Sequence, residues 1–178
     1  MPVSFGKIDG LQVISPVLYS DERGEVLESY GNELKSKIDA KNLEQTLIST
    51  SSFGVLRGFH YQIKYPLTQA IQCIEGEVLD FAIDLRKKSK TYKKIFQIKI
   101  SGSEKKIIYL PPGVAHGFLS LSSNSILLYY ISGLYSKVHE RGINYKSLNL
   151  KLPFEPKIVN ERDSNWPSIN NAEHFEDF

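Results

Sequence analysis

The chain has a single cysteine, Cys73, among 178 residues, so no internal disulfide can brace it. That thiol sits in the apolar run "QCIEGEV" and reads as buried and unreactive. No apolar stretch reaches the roughly 18 residues of a membrane-spanning helix. The opening "MPVSFGKIDGLQVISP" lacks a charged leader followed by an apolar core, so no signal peptide is read there. Neither sign of charge prevails: 22 Lys and Arg face 20 Asp and Glu, for a net +2. That balance gives no reason to expect nucleic acid or an anionic membrane as a partner. The basic run "RKKSKTYKK", Arg86 to Lys94, reads as a solvated turn. These absences lead to the expectation of a soluble, cytoplasmic protein.

What is present is strand-forming sequence. Hydrophobic residues make up 41% of the chain, enough for a globular fold with one substantial core over residues 1–178. "LQVISPVLYSDERGEVLESY" reads as two extended runs around a polar turn at Asp21 to Gly24. "AIQCIEGEVLDFAIDL" places a turn at Glu75-Gly76 between alternating apolar runs. "KIFQIKIS", "KIIYLPP" and "SILLYYIS" are further short strands. Regular punctuation by Gly, Pro and Ser suggests an all-β sandwich or barrel. One helix is expected over Gly31 to Asn42, with Asn32 as its N-cap. The Pro- and Asn-rich stretch from about residue 147 to 178 reads as a tail that packs back on the barrel.

The stretch "GVLRGFHYQ" poses a geometric question. In a regular strand Arg57 and His60 point to opposite faces, unless Gly58 marks a bulge between them. Alone, the two read as a surface arginine and a satisfied histidine. The chain has four histidines: His60, His116, His139 and His174. "YLPPGVAHGF", ending in a proline turn, a glycine and His116, looks like the second signature of small cupin barrels. The first signature reads His60-Tyr61-Gln62, where a second histidine ligand would stand. Zinc or iron needs three or more well-placed ligands. The expectation is a metal-free site, with His60 available to move a proton near neutral pH. Tyr129 and Tyr135 are an even number of residues apart, so a regular strand would put both on one side. Packing is the ordinary use of tyrosines in such a strand.

Taken in order, "DERGEVLES", "GVLRGFHYQ", "GEVLDFAIDLR", "YLPPGVAHGF", "LYYISGLYSKVHERGI" and "NERD" resemble the dTDP-4-dehydrorhamnose 3,5-epimerases. The resemblance runs from about Leu11 to about Asp163. It implies an all-β cupin double-stranded β-helix, or jelly roll, with short peripheral helices. It also implies a homodimer, no cofactor, and a nucleotide-diphosphate sugar as substrate. The implied activity is inversion at C3, C5 or both of a 4-keto-6-deoxy sugar, in surface polysaccharide and O-antigen sugar synthesis. A ketone acidifies its neighbouring C–H bonds, so the reaction needs a base, an acid on the other face, and a donor for the enolate oxygen. By resemblance His60 is the base, Asp163 orients it, and Tyr129 is the acid. Arg57 contacts the diphosphate, where a guanidinium fork suits phosphate oxygens. His116, Glu140 and Arg162 line the pocket. Arg23, Glu28 and Gln45 meet the nucleotide, and Arg23 and Glu28 can do so across the dimer. Tyr135 stacks on the base.

The chain departs from the family pattern at Gln69, where a lysine is usual. A lysine would put positive charge beside the enolate; a glutamine donates only a neutral hydrogen bond. Lys64, in the preceding loop, is a conceivable substitute. Leu134, Leu47 and Val26 replace an aromatic, an asparagine and a phenylalanine. These changes keep two alternatives open: a mono-epimerase on a CDP- or GDP-linked sugar, and a non-catalytic sugar-nucleotide-binding cupin.

Overall fold

The computed structural model describes residues 7–36 and 43–177. In chain order the strands are β1 (Gln12–Ile14), β2 (Leu18–Asp21), β3 (Gly24–Leu27), β4 (Leu43–Ser51), β5 (Val55–Gln62), β6 (Gln69–Glu75) and β7 (Glu77–Asp84). They continue as β8 (Ile95–Ser101), β9 (Ile107–Leu110), β10 (Val114–Ser120), β11 (Ser125–Ser132), β12 (Glu140–Gly142) and β13 (Ile158–Val159). Two single-turn helices, α1 (Asn32–Lys35) and α2 (Glu161–Ser164), and a 3-10 turn at Tyr145–Ser147 complete the described elements.

Two antiparallel sheets make the body. The first has the order β1-β9-β6-β11-β4, the second β12-β5-β10-β7-β8, with β13 added in parallel to β5. This is the jelly roll of the cupin class. Their facing sides enclose a core of Ile71, Cys73, Val78, Ala82, Phe96, Ile98, Ile100, Ile108, Leu110, Val114, Phe118 and Leu127. The turn at Glu75-Gly76 does not close a hairpin: β6 pairs in the first sheet and β7 in the second. Gly76 makes that crossing possible, because it has φ +74° and a Cβ there would sit 2.1 Å from the Asn124 carbonyl oxygen.

The second sheet is covered on its outer side as well. Leu79, Phe81, Ile83, Ala115, Leu119, Phe59 and Tyr61 turn outward and pack under Tyr145, Leu148 and Phe175 of the tail. Coverage on both faces explains why β7 is buried from Val78 to Asp84. The N-terminal run forms three strands, since the chain leaves β1 before Pro16. The β2–β3 ribbon belongs to neither main sheet. Helix α1 starts at Asn32 with Gly31 in the N-cap position and no side-chain cap, which corrects the assignment of Asn32 as cap. The rest of the helix expected to Asn42 falls largely on residues 37–42, outside the described residues.

Candidate active site

Between the sheets, at one end of the barrel, lies a cavity of ≈ 490 Å³. That is the size range of small-molecule sites. The second sheet contributes Arg57, His60 and Gln62 from β5, His116 and Phe118 from β10, and Glu140 from β12. The first sheet contributes Gln45, Leu47 and Ser49 from β4, Gln69 from β6, and Tyr129 and Ile131 from β11. Tyr135 and Arg162 stand at the rim.

The strand β5 resolves the question of Arg57 and His60. His116 pairs with His60, but Phe118 pairs with Arg57, so β5 carries one residue more than β10 over this interval. This bulge turns Arg57 and His60 into the same cavity. Gly58 sits in it with φ +130°, and a Cβ there would lie 2.5 Å from the Gly117 Cα. Only glycine fits so close a crossing.

His60 is held from the tail. Its Nε2 meets Asp163 Oδ1 at 2.7 Å, across 103 residues of sequence. Asp163 is buried, and its Oδ2 accepts from the Gly58 N–H at 3.1 Å. Arg162 Nε donates to Asp163 Oδ1 at 3.3 Å, while Arg162 Nη1 donates to both carboxylate oxygens of Glu140 at 3.0 Å. Burial alone would raise the Asp163 carboxyl, but the His60 hydrogen bond and charge, the Gly58 N–H and Arg162 hold it below its ordinary value. Asn160 caps the short turn by accepting from the Asp163 N–H. That cap aims the carboxylate at His60.

Tyr129 comes from the opposite sheet. Burial pushes its hydroxyl well up; Ser49 draws it partly back, and the nearby Asp80 charge adds to the rise. A tyrosine so placed stays protonated and is suited to giving a proton. His116 Nε2 meets Asp80 Oδ2 at 2.7 Å, and its ring lies edge-on to Tyr129 at 6.0 Å between centroids. Arg57 Nε donates to Ser51 Oγ at 3.0 Å and Nη2 to the Thr50 carbonyl at 3.1 Å. At the rim Tyr135 donates through its hydroxyl to Glu140 at 2.8 Å, and its N–H to Gln45 Oε1 at 3.2 Å. Tyr135 lies past the end of β11, beyond the turn at Gly133, so rim geometry rather than strand alternation brings it beside the Tyr129 pocket.

Ten of the twelve site residues read from the sequence therefore meet at this cavity; Arg23 and Glu28 do not line it. Asp163 is counted among the ten through its bond to His60. Arg23 sits at the β2–β3 turn and pairs with its neighbour Asp21. Lys64 is exposed and does not line the cavity, so it supplies no charge beside Gln69. Gln69 is the register partner of Ile131, two residues from the Tyr129 pairing with Ile71, and so shares the Tyr129 face. Gln62 is committed to the nearby loop: Nε2 donates to the Tyr65 carbonyl at 2.8 Å and Oε1 accepts from the Ser136 N–H at 2.7 Å. Among the described residues no three His, Cys, Asp or Glu side chains gather as a metal site. His139 bonds Ser136 and His174 bonds Tyr92, both away from the cavity. Burial and the Asp80 charge push the Cys73 thiol up to about 11, as suits an inert core thiol.

Two residues escaped the sequence reading. Asp80 is an acid in the middle of the apolar run between Glu77 and Asp84 of β7, which is a signal of a paired buried charge. Trp166, the one tryptophan, lies edge-on to His60 at 6.4 Å and under the Arg162 guanidinium at 6.0 Å. Its place in a Pro- and Asn-rich tail gave no such hint.

Comparison with known proteins adds to this geometry. Residues 6–171 match the family described as dTDP-4-dehydrorhamnose 3,5-epimerase. A protein of that name from Shigella flexneri is 34% identical over 174 residues, 95% of this chain and 96% of its own. The crystal structure of a dTDP-6-deoxy-D-glucose-3,5-epimerase from Legionella pneumophila, in complex with dTDP-4-keto-L-rhamnose, superposes with TM-score 0.89 at 28% identity, covering 99% and 98% of the two chains. A 3'-monoepimerase from Streptomyces bikiniensis, in complex with dTDP-quinovose, superposes with TM-score 0.83 at 28% identity, covering 92% and 85%.

Proposed function

The chain belongs to the dTDP-4-dehydrorhamnose 3,5-epimerase family, and from that premise we propose that it inverts C3, C5 or both of a nucleotide-diphosphate-linked 4-keto-6-deoxy sugar. The observation that carries this reading is the placement of His60 and Tyr129 on opposite walls of one cavity, with Asp163 behind the histidine. His60 removes the proton beside the ketone through the ring nitrogen that does not face Asp163. Asp163 fixes the ring and offsets the charge that His60 gains. The C–H electron pair moves into the enolate. Tyr129 returns a proton to the same carbon from the other side, and the configuration inverts.

The remaining roles follow from position. Arg57 is anchored by Ser51 and Thr50 and presents its guanidinium to the diphosphate. Gln45 and Tyr135, joined at the rim, take the nucleotide base. Glu140 and Arg162 close the side of the cavity and keep the His60 pair in register. The enzyme acts as a homodimer. The β2–β3 ribbon exposes Leu18, Tyr19 and Val26 at 40%, 61% and 68%, and carries Arg23 at its tip and Glu28 just beyond β3. A second copy would cover that apolar surface and bring Arg23 and Glu28 to a nucleotide. The product feeds surface-polysaccharide sugar synthesis, and the protein works in the cytoplasm.

A second reading, inversion of one carbon only, is favoured by Gln69 on the Tyr129 face, where it offers the enolate no charge.

The test is solvent exchange. With dTDP-4-keto-6-deoxyglucose in heavy water, deuterium at C3 and C5 supports the double epimerase, and deuterium at one carbon supports the second reading. No uptake with dTDP-, CDP- and GDP-linked 4-keto sugars would overturn the epimerase reading in favour of a binding module.

A further inference from the structure

Strand β12 ends in a glycine that its backbone does not require. Gly142 lies outside the left-handed region, so its backbone conformation is open to other residues. Space is what forbids them: a Cβ there would stand 2.3 Å from Trp166 Nε1. Gly142 is the register partner of His60, so a side chain at 142 would share the cavity face with the histidine. The indole of Trp166 takes that space instead.

The tail is fastened to hold it there. Asn144, just past β12, donates from its N–H to the Pro167 carbonyl at 2.9 Å and from its side-chain amide to the Ser164 carbonyl at 2.6 Å. These two bonds clasp the chain on either side of Trp166. The placement is unfavourable for the indole itself, whose Nε1–H is buried with no hydrogen-bond partner among the described residues. Trp166 does not line the cavity. It touches the site through the His60 ring, edge-on at 6.4 Å, and the Arg162 guanidinium, at 6.0 Å.

His60 has need of such a neighbour. Asp163 Oδ1 at 2.7 Å and, more loosely, Arg162 Nη2 at 3.4 Å both meet Nε2. Both contacts hold one end of the ring, and the side chain is 29% exposed. A ring held at one end can pivot about that end. The pivot would swing the other nitrogen, the one assigned to the sugar, off its carbon. A displacement of about 1 Å in a reacting group can lower a rate about a hundredfold.

We propose that Trp166 is a positioning residue: lodged against Gly142, its indole stops the His60 ring from pivoting about the Asp163 bond and so keeps the proton-abstracting nitrogen aimed at the sugar. This rests on the epimerase reading above. The indole exchanges no proton and touches no substrate; it acts through His60, and through Arg162, which it backs where that side chain bridges Glu140 and Asp163.

The chain has one tryptophan, so its fluorescence reads the placement of this side chain alone. Gly142→Ala adds one methyl group and alters no reacting group. It should displace the indole, move its emission to the red, and lower kcat on the order of tenfold to a hundredfold with KM within about threefold. Trp166→Ala should lower kcat equally. Trp166→Phe, which keeps an aromatic edge and removes the unpaired N–H, should hold kcat within about threefold of wild type. Adding Gly142→Ala to Trp166→Ala should lower kcat no further, because the methyl group then has no indole to displace. ¹³C relaxation of the His60 ring, assigned through His60→Gln, should show a rigid ring in the wild type and a mobile one in Gly142→Ala. Wild-type kcat in either single alanine variant, additive losses in the double variant, or a ring equally rigid in both proteins overturns the proposal. So does an emission that Gly142→Ala leaves unmoved, since the indole would not then fill the space at 142. Should Trp166→Ala fail to fold, Gly142→Ala decides alone. Failure of the wild type to exchange deuterium would overturn the epimerase reading instead, and the ring relaxation would still decide whether the indole holds His60.

Discussion

The two sheets that wall the cavity are covered differently. The second sheet is packed on both faces, inward by the barrel core and outward by the tail through Tyr145, Leu148 and Phe175. The first sheet has its outer face covered only in part, where Ile14, Leu34, Tyr30 and Tyr130 gather around β6 and β9. Its edge strand β4 is open, with Ile48 71% exposed. His60, Asp163 and the Asp80–His116 pair belong to the covered side; Tyr129, Gln69 and Gln45 belong to the other. A histidine that must both take and release a proton needs its ring held against a fixed carboxylate. Close packing on both faces supplies that rigidity. A wall that meets different sugars and bases gains from having an edge that can adjust.

If that contrast is right, the gravest damage comes from the covered side. His60→Ala should lower deuterium exchange on the order of 10⁴-fold, the upper range for a lost general base. Near-normal exchange in this variant would break the assignment. Tyr129→Phe, on the other sheet, should lower inversion on the order of 10³-fold yet leave proton abstraction measurable, so that label enters with retained configuration. Equal loss of both would erase the distinction between the walls.

Stability should follow the same order. Phe81 is fully buried on the outer face of the second sheet and packs against Phe59 with ring centroids 5.6 Å apart. Phe81→Ala should cost about 3–5 kcal/mol in urea unfolding. Asp163 adds a pH-dependent share. Its folded pKa is depressed, so its contribution is full above the unfolded value of about 3.9 and is lost as pH falls through the folded one. Asp163→Asn should therefore flatten the fall in stability below about pH 4, a change visible in unfolding curves taken across that range. Thr46→Ala, on the exposed side of β4, should stay within about 0.5 kcal/mol of wild type. A larger loss there would mean that the open face is covered in solution.

Much of this fold is legible in the sequence because alternation reports faces. β8, β9 and β11 stand where "KIFQIKIS", "KIIYLPP" and "SILLYYIS" place them. Alternation does not report partners, so the Glu75-Gly76 turn shows a break but not a change of sheet. β4, with polar and apolar residues exposed alike, gives little period to read. The twelve site residues came from ordered motifs rather than from spacing, and the β5 bulge accounts for Arg57 and His60 sharing a face. Asp80 stayed unread because its partner lies 36 residues away on another strand. Lys64 could be weighed only once its loop was seen to point outward.

The bond from Asp163 to His60 spans 103 residues. As the polypeptide leaves the ribosome, both sheets can be complete before that carboxylate exists. Until the final segment arrives, the outward apolar row of β5, β7 and β10 has nothing over it, and such a surface invites self-association. The same docking event then does two things at once: it seals that row and arms the base. A nascent or clipped molecule lacking the segment would be sticky and inert together, so quality control that recognises exposed apolar surface would also remove the inactive species.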